Sequence, residues 1–181
     1  MYTILLPLLL LQNCTMDLVS REEWHAKPPK EVTPMKNPVP YVIIHHSETP
    51  KACNTEAECI RAMQSMQNYH QEIKKWNDIG YNFAVGGDYR AYIGRGWSAV
   101  GAHAPNYNSR SIGICVIGNW SKILPPSKQL QTVKDLIQCG VDDGYISNDY
   151  ILYGHRQVRA TDCPGDALYK EIQTWPHYSP N

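Results

Sequence analysis

Three short, largely apolar runs set the frame for this chain: YVIIHH at 41–46, rich in β-branched residues, SIGICVI at 111–117 and YILYGH at 150–155. Each is too short and too apolar for a surface helix and reads as a buried strand. Helical patterns lie between and after them. Thr55 and Glu58 have the spacing of a capping box, and Ala62, Met63, Met66, Tyr69, His70 and Ile73 recur on one helical face to about residue 75. A second helix opens at PPS, carries Leu130, Val133, Leu136 and Ile137 on one side and ends near Gly144. A third is expected over 166–175, with Leu168, Tyr169, Ile172 and Trp175 inward and Pro176 as its stop. YNFAVGG and RAYIGRG predict a hairpin around Gly87 and Asp88.

Strands separated by helices make this an α/β chain. The expectation is a single domain, with a central mixed β-sheet of about five strands flanked by about three helices. Its 181 residues suit one domain and one sizeable core. Residues 13–40, with five prolines, read as an extended N-terminal arm.

The run from Ile4 to Leu11 is too short to span a bilayer. It resembles the apolar part of a signal peptide, so 1–12 is expected to be a leader and the protein secreted. It lacks a basic start and a clear cleavage site, which leaves an intracellular form as the alternative. The formal net charge is zero. No basic field draws nucleic acid or an anionic membrane, so a ligand has to be held by local chemistry. Twelve Tyr and five Trp against one Phe suit a groove for sugar or peptide and serve equally in a core.

Six cysteines can pair in 15 ways. Cys53 and Cys59 bracket a short loop entering a helix, which suits a local staple. Cys14 is placed to tie the arm to Cys139. Cys115, inside an apolar run, reads as a buried thiol. Cys163 is left over, and an unpaired cysteine in a secreted protein needs a reason, metal ligation being one.

Two histidines, His45 and His155, end predicted strands, and Cys163 follows His155 by eight residues. Adjacent strands would bring the imidazoles together, and the loop after His155 would return the thiol to them. Two imidazoles and a thiolate suit a tetrahedral Zn²⁺ with one open position, the catalytic pattern. The spacing alone leaves open two satisfied histidines and a buried or oxidised cysteine.

HHS after a strand, WNDIGYNF, GRGW, GAHA, SIGI, GNW, GHR…TDCPG and the closing WPHY occur in one order over about residues 17–178. In that order they resemble the peptidoglycan recognition protein family, which is related to phage-type zinc amidases, and in particular its amidase-competent insect members. The resemblance makes 41–178 a zinc amidase and peptidoglycan-binding domain. It implies one Zn²⁺ held by His45, His155 and Cys163, where members that only bind commonly carry Ser at the last position. It implies hydrolysis of the amide between the muramic lactyl group and L-Ala in innate immunity, by a monomer whose partners are bacterial peptidoglycan and muropeptides. The alternative is a non-catalytic sensing module.

The family's catalytic tyrosine falls on Tyr81. Thr161 occupies a second catalytic position that holds Lys in the phage relatives, and a hydroxyl cannot replace that charge. Substrate contacts are implied for His46, His70, Lys74, Trp76, Arg95 and His103. Diaminopimelate-preferring members pair Gly-Trp before DIGY with an Arg in the GRG segment. Here Trp76 and Arg95 match, and Lys75 stands for Gly. An arginine fork can hold the extra carboxylate of diaminopimelate through two parallel hydrogen bonds. Trp97 is expected to pack rather than stack on sugar.

Overall fold

The structure, a computed structural model, describes residues 14–180; the leader expected at 1–12 lies outside them. Six strands form one sheet: β1 (Leu18–Val19), β2 (Val39–His46), β3 (Phe83–Val85), β4 (Ala91–Ile93), β5 (Ser111–Val116) and β6 (Ile146–Gly154). Their order is β1-β4-β3-β5-β2-β6. Among these strands β3 and β4 run antiparallel, as the predicted hairpin, and the other strand pairings are parallel. The three apolar runs are thus the centre and one flank of a mixed sheet, where both faces are covered.

The helices are α1 (Glu56–Asn68), α2 (Ser127–Asp142), the single turn α3 (His155–Val158) and α4 (Asp166–Ile172). Thr55 and Glu58 close a capping box at the head of α1, satisfying amides that the first turn leaves free. Alternation along the strands divides the core. Val42, Ile44, Ile112, Ile114 and Val116 pack with Leu130, Val133, Leu136 and Ile137 of α2 and with Leu168 and Ile172 of α4. Ala84, Cys115 and Ile117 face the other way, against Cys59, Ala62, Met63 and Met66 of α1. Truncating a buried leucine such as Leu136 in such a core costs about 2–5 kcal/mol.

Two disulfides brace the layers, Cys53–Cys59 at the mouth of α1 and Cys14–Cys139 from the arm to α2. Cys115 is buried and Cys163 half-buried, both as free thiols.

The structure departs from expectation in several elements. Leu18–Val19 of the arm adds a parallel edge strand beside β4, a pairing with no apolar period to announce it. The last helix stops at Ile172, before Trp175. The first helix changes its winding, with Tyr69–Ile73 forming a π-turn and the Lys74 N–H donating to the Tyr69 carbonyl at 3.1 Å. One residue more per turn shifts the helical phase. Within the turn Gln71 lies inside beside His70, while Tyr69 and Ile73, expected inward, are exposed.

Candidate active site

Parallel pairing decides what meets here. Ile44 is registered with Gly154, so the next residues along, His45 and His155, stand side by side with ring centroids 4.3 Å apart. His155 proves to be the first residue of α3 rather than the last of a strand. That turn and its loop bring the chain back: the Arg156 N–H donates to the Cys163 carbonyl at 2.9 Å, and the Arg156 guanidinium reaches Asp166 at 2.7 Å. Cys163 Sγ then lies 3.8 Å from His45 Nδ1 and accepts the His46 N–H at 3.4 Å.

One ring nitrogen from each histidine and the sulfur all lie within 4.8 Å of one another. Zinc bonds of about 2.0–2.3 Å need donors separated by about 3.3–3.6 Å, within small adjustments of this arrangement. Among the described residues the other such group, Cys14, Cys139 and Asp143, has its sulfurs joined in a disulfide.

The electrostatics also fit a cation. Burial pushes His45 well below the usual histidine range, helped by the neighbouring His155 and His103, and burial takes His155 down to about 4. Both rings are therefore neutral, the form that ligates. His155 Nε2 is buried with no hydrogen-bond partner. Such an orphan is costly unless something completes it. Burial pushes the Cys163 thiol up to about 12, with the His46 N–H and Arg156 pulling the other way. A thiolate at this depth needs a positive charge beside it.

Around these donors opens a cleft of about 560 Å³ whose wall includes His46, His70, Trp76, Tyr81, His103 and Thr161. Tyr81 sits 5.2 Å from His45 and 5.7 Å from His70, centroid to centroid. Burial, with the thiols of Cys115 and Cys163 nearby, raises its pKa, so its O–H remains a donor. The Thr161 hydroxyl accepts the Cys163 N–H at 3.2 Å, which steadies the returning loop.

His46 faces away from the α1 side by strand alternation, yet at the end of β2 it still reaches the cleft. Its Nδ1 accepts the Trp120 N–H at 3.2 Å. His70 Nδ1 likewise accepts the Gly80 N–H at 3.0 Å, and its ring stacks on Trp76 at 4.7 Å. A backbone N–H can only donate, so each neutral ring keeps its proton on Nε2. Burial holds His70 down at about 4, so at neutral pH it is an uncharged donor.

Two expected contacts stand apart. Lys74 lies over the Tyr69 ring at 5.6 Å and is not part of the cleft wall. The Arg95 guanidinium donates to the carbonyls of Ile79 at 2.7 Å, Val100 at 2.8 Å and Asp78 at 3.5 Å, and borders a separate small cavity with Arg21. Trp97 packs, with Phe83 at 4.2 Å and a stacked Tyr145 at 5.3 Å. Sequence reasoning missed Ser47, Glu48 and Asp162, which also line the cleft. Nothing in their spacing marks them.

The sequence pattern of the family described as N-acetylmuramoyl-L-alanine amidase matches residues 35–166. Peptidoglycan-recognition protein LB of Drosophila melanogaster is 50% identical over 165 residues, which are 91% of this chain and 71% of that protein. The mouse protein named N-acetylmuramoyl-L-alanine amidase is 43% identical over 162 residues, 88% of this chain but 31% of its own length. Among solved structures, a Tyr-to-Phe variant of the Drosophila LB protein in complex with tracheal cytotoxin superposes with a TM-score of 0.89 at 50% identity, covering 90% of this chain and 96% of that one.

Proposed function

This chain belongs to the peptidoglycan-recognition proteins of the N-acetylmuramoyl-L-alanine amidase family, and from that membership we propose that it is a zinc-dependent amidase of bacterial peptidoglycan. The bond cut is the amide between the muramic lactyl group and L-Ala. The observation that carries this reading is the convergence of His45, His155 and Cys163 on one point at the foot of a cleft, with His155 Nε2 bare. His45, His155 and Cys163 would hold a zinc ion, which would supply Lewis-acid polarisation of the amide and activation of a water.

The chain's own residues do the rest. Tyr81, beside His45, offers an O–H toward charge developing on the amide oxygen. His46 and His70 present fixed Nε2–H donors to peptide carbonyls in the cleft. Thr161 holds the loop of Cys163 and has no charge to offer a leaving amine. Diaminopimelate is the preferred third residue of the stem peptide in this reading. Trp76 forms part of the cleft, and Arg95 uses three of its five N–H donors on backbone carbonyls, leaving two for a carboxylate.

The protein acts outside the cell. Its two disulfides belong to an oxidising compartment, and no helix among the described residues is long and apolar enough to cross a membrane.

The test is incubation of the purified protein with defined diaminopimelate and lysine muropeptides, with and without chelator, and identification of the products. Free stem peptide that vanishes with chelator supports the reading. Binding without cleavage in zinc-loaded protein makes it a sensing module instead.

A further inference from the structure

The GAHA and SIGI segments have no part in the mechanism above, and their packing points to one. His45 Nδ1 faces Cys163, while His45 Nε2 lies 3.0 Å from His103 Nδ1. Either nitrogen of that pair can hold the shared proton, so the contact alone does not orient His45. The next links decide it. His103 Nε2 lies 3.4 Å from Ser111 Oγ, and Ser111 Oγ lies 2.8 Å from the Tyr107 carbonyl. A carbonyl only accepts, and Ser111 has one O–H, which goes to Tyr107. Ser111 Oγ is left to accept from His103 Nε2–H. A neutral His103 then has a bare Nδ1, which accepts from His45 Nε2–H. His45 Nδ1 is thereby the nitrogen with a free lone pair.

We infer that His103 is a positioning residue: anchored through Ser111 to the Tyr107 carbonyl, it holds His45 in the Nε2–H form whose Nδ1 lone pair faces Cys163 and His155, and so sets zinc affinity. Outer partners of ligating histidines act in this way in metal sites generally. The role rests on the zinc reading above, and it differs from the groove contact that resemblance implies for His103. Both ring nitrogens of His103 are engaged inside the protein, leaving neither for a ligand.

The fold is shaped around this ring. A Cβ on Gly113 would lie 2.4–2.6 Å from His103 ring atoms, and one on Gly101 would lie 2.5 Å from His103 Cδ2. Any side chain at either position pushes the ring off His45. The backbone is fixed too, since the N–H groups of His103 and Ala104 both donate to Asn108 Oδ1 at 2.8 Å.

The test has two readouts besides activity. In metal-free protein with ¹⁵N-labelled histidines, nitrogen-to-ring-proton correlation spectra should show His45 and His103 both as Nε2–H. Zn²⁺ affinity is then measured by chelator competition for wild type, His103→Phe and His103→Asn. Phe keeps a ring but no acceptor, and should bind zinc about 10–100-fold more weakly. Asn places Oδ1 where Nδ1 stood, and should stay within a few-fold of wild type.

An Nδ1–H form of His45, or a phenylalanine variant as tight as a zinc-binding wild type, overturns this role alone. A wild type that takes up no zinc overturns the zinc reading and this role with it. Should His103→Phe fail to fold, Ser111→Ala decides: it removes the anchor, and the same spectra should show His45 in mixed forms. An unchanged spectrum overturns the relay.

Discussion

Asp78 and His45 each sit at the centre of a buried polar cluster, and the two are finished in opposite ways. Asp78 takes both arms of the Arg21 fork, at 2.9 and 3.2 Å, together with the Gln67 side chain and the Ile79 N–H, each at 2.8 Å. Arg95 closes the cluster on the carbonyls of Asp78, Ile79 and Val100. Around His45 the pattern reverses: Nδ1 has only a sulfur at 3.8 Å, and His155 Nε2 has nothing. Unpaired polar groups in a low dielectric are expensive, and paired ones rigidify. A cluster that satisfies itself is scaffold, here tying the arm, α1 and the segment before Tyr81. A cluster with lone pairs left over is completed from outside.

The sharpest way to break this contrast is Cys163→Ser. Removing one donor from the open cluster should lower cleavage by ~10³-fold or more, about 4 kcal/mol in transition-state terms. The melting temperature of the metal-free protein should barely move, and muropeptide binding should persist. Retained cleavage in zinc-loaded protein would remove Cys163 from the site.

Asp78→Ala should do the reverse. It strands Arg21 and frees Gln67, and breaking a buried pair costs about 3 kcal/mol or more. Arg21 is 27% exposed, so water softens the loss and the lower figure applies. Urea denaturation measures it. A cost under about 1 kcal/mol would show that the network is not the scaffold described.

Arg95→Ala separates scaffold from recognition within one side chain. Its bonds to three carbonyls belong to the closed cluster; its two remaining donors are those assigned to diaminopimelate. Affinity for diaminopimelate-type muropeptides should fall about 10-fold more than for lysine-type ones, in the range of a charge-assisted pair. Equal losses would confine Arg95 to scaffolding.

The sequence displays these two clusters unequally. The central strands were legible because burial on both faces leaves an uninterrupted apolar run, and His45 stands out as the polar end of such a run. A short loop at a helix start made a Cys53–Cys59 staple one of the open pairings, and the structure holds it. The Asp78 network was not legible. Gln67 and Gln71 look like solvent-facing helix residues and are buried because they bond carbonyls of the arm, including Lys27 and Pro28. That partnership is tertiary and has no period. The π-turn hid in the same way: one extra residue per turn moves Tyr69 and Ile73 outward, and a 3.6-residue template cannot anticipate it. Arg95 was readable as an arginine in GRG; the direction of its guanidinium depends on carbonyls 16 and 5 residues away.

His70 lies between the two clusters, and its pH response is the smallest effect that still distinguishes them. The native ring titrates near 4 because burial disfavours the cation, against about 6.5 in the unfolded chain. Between those values the unfolded state binds the extra proton, so stability is full above about pH 6.5 and falls as pH drops toward 4. His45, His103 and His155 shift the same way, so the whole protein is acid-sensitive in this window and the share of one ring must be isolated. His70→Asn does this, because its Oδ1 can take over the Gly80 N–H while nothing remains to titrate. Between pH 7 and 5.5 the variant should lose about 1 kcal/mol less stability than wild type in metal-free urea titrations. Equal losses would mean that the ring titrates alike in the folded and the unfolded chain, and the burial assigned to His70 would have to be given up.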